Sequence, residues 1–149
     1  MSYIKVVRSF IFLLALTSMS GLGYTKEILV IVHPDNPVAS LTNRNVLDIY
    51  TGKLVAFPNG KTALPVDLAD EENVKASFYQ SLTGKTLAQM SSYWAKLLFT
   101  GRYSPPLQLD TPSHVIEYVS ENQFAIAYID ASWLTEKVKV VYRLKANES

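Results

Sequence analysis

The sequence predicts an α/β sandwich, a mixed sheet flanked by helices, and three observations predict it. Short apolar runs at 28–32, 62–68, 124–130 and 138–144 read as strands. Between them lie stretches whose apolar residues recur at helical spacing, and Thr, Gly and Pro stand where such helices begin and end. Helices alternating with apolar strands, in the order β-α-β-α-α-α-β-β, bury one face of each element only by layering on a sheet. There is no internal repeat and no low-complexity segment.

Taken in order, "EILVIVHP" opens with a continuous apolar run, as expected of a strand covered on both faces, and Pro34 and Pro37 stop it. In "SLTNRNVLDIYTGK", Thr42 suits an N-cap, Val46, Ile49 and Tyr50 share a helix face, and Gly52 ends the helix. "FPNGK" is a turn by its Pro-Asn-Gly order, and "TALPVDL" is the next strand. Asp70 is read as the cap of a second helix with the stripe Val74, Phe78 and Leu82, ending near Gly84. Thr86 caps a third, carrying Leu87, Met90, Trp94, Leu97 and Leu98 and stopped by Gly101. "RYSPPLQLD" reads as a loop; Thr111 then caps a helix with Pro112 at its first position, where proline is favoured. "FAIAYID" and "VKVVYRL" close the sheet.

The chain has 149 residues, 48% hydrophobic and 18% charged, the composition of a globular protein. Lys5 and Arg8, the apolar run at 10–16 and the small residues Ser18, Ser20, Gly21 and Gly23 have the three-part layout of a secretory signal. Residues 1–23 are therefore expected to be a cleaved signal peptide and 24–149 the domain. The apolar core is about half of the roughly 20 residues that a membrane-spanning helix needs. Cleavage would remove two of the 14 basic residues and none of the 13 acidic ones, leaving a nearly neutral protein. Nucleic-acid binding, which calls for a basic excess or stripe, is not expected. With no cysteine, disulfides, thiolate nucleophiles and Cys-based zinc sites are excluded.

Catalytic signatures are missing. No G-x-S-x-G string occurs, and His33 and His114 lie far apart in sequence, each read as a loop or helix-surface residue. Asp67, Asp70, Glu71 and Glu72 suggest a paired acid and base. Carboxylates in a first helical turn, however, ordinarily complement the helix dipole. No enzyme activity, cofactor or metal is expected. Neither G-x-G-x-x-G nor a P-loop is present. An oxyanion at the helix beginning near Asp70 would meet like charge, costing about 1 kcal/mol in water at 4 Å and about 4 kcal/mol at an effective dielectric near 20. Better anion candidates are Arg102, just past a Gly-terminated helix, and Ser40 and Thr42, which precede another. Arginine can hold an oxyanion through two parallel hydrogen bonds, or else bond carbonyls at the helix end. Tyr93, Trp94, Phe99 and Tyr103 suggest an aromatic wall, although the spacing of Trp94 assigns it to the core.

"VIVHPDNPVASLTNRNVLDIYTGK" resembles a segment of the phosphate-type periplasmic solute-binding proteins of ABC transporters, in which a strand, an "NP" turn and a helix ending "DIYTGK" or "DIFTGK" follow one another. "FAIAYID…VKVVYRL" resembles that family's closing strands. The likeness covers residues 27–144 and implies one lobe of a two-lobed receptor, in a small, exported, single-unit form. In larger members a strand leads to "R…GSGT", which holds phosphate. Aligned on Phe78, Leu68 falls at the arginine and Glu71, Glu72, Asn73 and Val74 across "GSGT", so no phosphate ligand carries over. The resemblance implies a periplasmic, non-enzymatic solute-binding protein, for phosphate or another small oxyanion held near Arg102, working with a membrane permease in ABC-type uptake. The alternative is an envelope protein-interaction module that kept the fold and lost the small ligand.

Overall fold

The structure, a computed structural model, describes residues 27–69 and 73–145. The expected signal peptide, and the carboxylates Asp70, Glu71 and Glu72 read as a helix cap and first turn, lie outside the described residues. The elements are β1 (Glu27–Val32), α1 (Asn43–Tyr50), β2 (Leu64–Leu68), α2 (Asn73–Thr83), α3 (Leu87–Phe99), β3 (Leu107–Leu109), α4 (Pro112–Glu121), β4 (Ala125–Asp130), a 3-10 turn at Ala131–Trp133 and β5 (Lys139–Lys145). The expected loop "RYSPPLQLD" thus contains a strand. It pairs in parallel with β2, Val66 opposite Leu107 and Leu68 opposite Leu109. Three residues behind Pro105 and Pro106 are too few to display a period, and the first two are exposed, so no apolar signal marked them.

The five strands form one sheet in the order β3-β2-β4-β1-β5. β2 pairs in parallel with β3 and β4, and β1 pairs antiparallel with β4 and β5, so β1 alone runs against the rest. This is the mixed sheet expected. Right-handed crossovers fix the layers: the step from β2 to β3 moves outward and that from β3 back to β4 inward, which puts α2 and α3 on one face and α4 on the other. Residues 28–32 of β1 and all six residues of β4 are buried, as strands covered on both faces must be.

Thr42, Thr86 and Thr111 cap α1, α3 and α4 by accepting backbone N–H bonds from Asn45, Gln89 and His114. The first two are capping boxes, the Asn45 and Gln89 side chains reaching back to the cap N–H. Gly52 ends α1 at φ +75°, and a Cβ there would lie 3.1 Å from the Trp94 ring, so both backbone and space call for glycine. "FPNGK" turns with Gly60 at φ +82° and hydrogen bonds between Phe57 and Lys61 and between Gly60 and Phe57. On α3, Met90 and Trp94 enter the core and Leu97 is half-buried, but Leu98 is exposed, as is Phe99. The apolar stripe is therefore narrower than its composition suggests.

Candidate functional site

Tyr50 of α1, Phe78 and Tyr79 of α2 and Tyr128 of β4 meet over the sheet. Phe78 stacks on Tyr128 with ring centroids 3.8 Å apart, and Tyr50 meets Phe78 edge-on at 4.8 Å. Three of the four carry hydroxyls that need partners when buried. Tyr50 Oη donates to the Val66 carbonyl at 2.8 Å. Tyr79 Oη donates to Asp67 Oδ2 at 3.0 Å, and Tyr128 Oη donates to Asp67 Oδ1. Asp67 Oδ1 also accepts the Leu68 N–H at 3.1 Å, and Lys75 Nζ lies 3.6 Å from Oδ2. Asp67 and Lys75 are themselves buried.

Burial pushes the Asp67 carboxyl above its ordinary value, and the Tyr128 hydrogen bond, Lys75, the Tyr79 hydrogen bond and the Leu68 N–H offset part of that rise. Burial, reinforced by the charge on Asp67, raises all three tyrosines well above 10. They remain proton donors at any physiological pH. Both oxygens of Asp67 are occupied, so this carboxylate fixes α2 to β2 and β4 rather than abstracting protons. The sequence reading placed Asp67 among loosely grouped carboxylates and missed its tyrosine partners. The available signal was alternation: Asp67 lies between Val66 and Leu68 in a strand whose last three residues are buried.

Arg102 stands in the α3–β3 connection and lines a cleft of about 530 Å³. The cleft runs between the end of α1 (Ile49, Gly52), the starts of β2 and β3 (Leu64, Pro65, Leu107) and the segment from Tyr103 to Pro105. Arg102 is its one charged lining residue among the described residues. The cleft therefore sits at the amino-terminal edge of the parallel strands, whereas open α/β sheets ordinarily receive ligands outside the carboxyl ends. Ser40 and Thr42 are exposed at the opposite end of α1, eight residues and about 12 Å away along the helix axis. Thr42 Oγ1 accepts the Asn45 N–H at 3.2 Å and donates to Asn45 Oδ1 at 2.8 Å. Arg102 and the Ser40–Thr42 pair are thus not brought together. Of the aromatic group, Trp94 is core, Tyr93 donates to the Thr51 carbonyl at 2.5 Å, Tyr103 borders the cleft and Phe99 is 98% exposed. His33 sits in the loop after β1, its Nδ1 accepting the Asp35 N–H, and His114 is exposed on α4.

No protein-family model matches the chain, and comparison with curated proteins finds no match. Solved structures do match. The chain superposes on a phosphate ABC transporter substrate-binding protein with bound phosphate from Clostridium perfringens, with TM-score 0.63 and 23% identity over 78% of this chain and 45% of that one. The fold is that of one lobe of a solute-binding receptor. An ABC-type phosphate transport receptor from Vibrio cholerae gives TM-score 0.62 and 18% identity, again over 78% and 45%. PstS from Borrelia burgdorferi gives 0.60 and 15%, over 78% and 46%. The chain spans less than half the length of these three proteins, the first two of which are described as a substrate-binding protein and a transport receptor.

Proposed function

We propose that this chain is an exported, non-enzymatic solute-binding protein that works in the periplasm and takes a small oxyanion, phosphate first among them, at Arg102. In ABC-type uptake it would deliver that ligand to a permease and ATPase supplied by other chains. The observation that carries the reading is the superposition over 78% of the chain on phosphate-transport receptors, one of them with phosphate bound. Arg102 supports it, as the only cation lining a cleft that contains no carboxylate among its described residues. Isothermal titration of the full chain with phosphate and sulfate tests it. Ligand at 100 times its Kd adds about 2.7 kcal/mol of stability, a rise in Tm of several degrees. No heat and no shift at millimolar ligand would remove the oxyanion.

A second reading, an envelope interaction module, is favoured by one observation: Leu98 and Phe99 close α3 with 52% and 98% of their surface exposed. Contiguous exposed apolar patches larger than a few hundred Å² mark interaction sites, and these two side chains are adjacent in the chain. Light scattering behind size exclusion discriminates. Self-association or a stable complex supports docking, and a strict monomer indifferent to Phe99→Ser counts against it.

A further inference from the structure

The lining of the Arg102 cleft is chemically lopsided. Leu54, Val55, Leu64 and Leu107 form its walls with Tyr103, and each is left at least partly open to solvent, Val55 at 71% and Leu107 at 46%. Arg102 is exposed, and no described residue makes an ion pair with it. A bare phosphate dianion, stripped of water, needs hydrogen-bond donors on every side; Arg102 and the hydroxyl-bearing lining residues Thr62, Tyr103, Ser104 and Tyr118 supply them on part of the cleft, whereas Leu54, Val55, Leu64 and Leu107 supply none. A ligand with one anionic end and an apolar body satisfies both halves: the head takes the two parallel bonds that guanidinium offers, and the body covers the exposed aliphatic wall. The volume, about 530 Å³, falls within the range of small-molecule sites, roughly 300–1,000 Å³.

We propose that the ligand of this cleft is an amphiphilic carboxylate, a short aliphatic or aromatic acid whose head pairs with Arg102 and whose body lies along Leu54, Val55, Leu64 and Leu107. The inference rests on the reading that Arg102 holds an anion, and it names the class of anion. Trp94 provides a built-in reporter, because its ring packs behind Gly52, one of the lining residues.

The test titrates the full chain with butanoate, hexanoate, octanoate, 1-octanol and inorganic phosphate, followed by calorimetry and tryptophan fluorescence. Burial of a methylene is worth about fourfold in affinity, so each two-carbon extension should tighten binding by roughly fifteenfold until the cleft is filled. Arg102→Gln should weaken octanoate by about 10- to 100-fold and leave octanol unchanged. Val55→Asp, an exposed change that keeps the fold, should repel octanoate by placing a carboxylate on the wall. Absence of chain-length dependence, or octanoate binding indifferent to Arg102→Gln, overturns the proposal. If phosphate binds through Arg102 and octanoate does not, the amphiphile falls and the oxyanion reading stands. If octanoate alone binds through Arg102, the amphiphile stands; if neither binds, both fall.

Discussion

Tyr128→Phe deletes one oxygen from the buried network and leaves the ring stacked on Phe78. That oxygen donates to Asp67 Oδ1 and lies 3.4 Å from the Leu68 N–H. After its loss Oδ1 keeps only the Leu68 N–H at 3.1 Å, while Oδ2 keeps Tyr79 at 3.0 Å and Lys75 at 3.6 Å. One hydrogen bond to a charged group is therefore removed, worth about 1.5–3 kcal/mol. For a chain of this size, at about 4 °C per kcal/mol, that lowers Tm by roughly 6–12 °C.

The pH dependence is the sharper part. Asp67 titrates above its unfolded value of 3.8 because burial outweighs its partners, and the Tyr128 bond is the largest of the effects that hold it down. A raised carboxyl contributes stability that is fully present below pH 3.8 and lost as pH rises through the folded value. Without Tyr128 Oη the folded value climbs further, so more stability is lost on the way to neutrality. Thermal and urea unfolding of both proteins between pH 4 and 8 should give a gap that is small in acid and widens towards pH 7. A gap below about 0.5 kcal/mol, or one that is constant across the range, would refute the assignment of Tyr128 as the principal donor to a charged Asp67.

Asp67→Asn removes the titrating group, so the fall in stability between acid and neutral pH should flatten. Its amide N–H₂ must also face hydroxyl and amide donors on one side or Lys75 on the other, costing about 1–3 kcal/mol in urea melts at pH 7. Gly52→Ala places a methyl 3.1 Å from Trp94 in a backbone at φ +75°, and should cost more than about 1 kcal/mol and shift the tryptophan emission. Alkaline titration followed at 295 nm should find Tyr50, Tyr79 and Tyr128 silent in the native state. Their raised values give stability that is present below pH 10 and lost as pH climbs towards the folded values, so they ionise together with unfolding. Thr86→Ala removes the hydroxyl that accepts the Gln89 N–H at 3.2 Å and should cost about 1 kcal/mol, read as loss of helical circular dichroism at lower urea.

Where a local physical rule decides the outcome, the sequence was readable. Thr42, Thr86 and Thr111 sit where a hydroxyl can accept an N–H two or three residues on, and they cap their helices in the structure. The apolar runs at 28–32 and 124–130 became the two central strands because residues buried on both faces need no alternation. β3 escaped because its partner, β2, lies some 40 residues earlier, and pairing across that distance leaves no local trace in three residues. The site divides in the same way. Arg102 could be singled out from its position after Gly101, but the walls that give it meaning come from the end of α1, the start of β2 and the start of β3, which only the sheet order brings together. Asp67 was visible as an acid in an apolar strand; Tyr79 and Tyr128, 12 and 61 positions away, were not.

Asp67 and Arg102 lie in different settings, and that difference bears on what each can do. Asp67 is enclosed, every oxygen partnered, beneath aromatic rings that touch one another; altering it changes stability before anything else. Arg102 is open, has no ion-pair partner among the described residues and faces aliphatic side chains that a folded protein gains by covering. An exposed arginine in a polar surround is satisfied by water. One bordered by Leu54, Val55 and Leu107 is not equivalent, because whatever pairs with the guanidinium is held against apolar surface and gains from both. A simple anion can use the charge and the hydroxyls of Thr62, Tyr103, Ser104 and Tyr118, but it leaves the aliphatic wall uncovered. The selectivity of the cleft should therefore reside in the apolar part of its ligand, and affinity that grows with chain length while charge is held constant is the measurement that separates this cleft from an ordinary surface arginine.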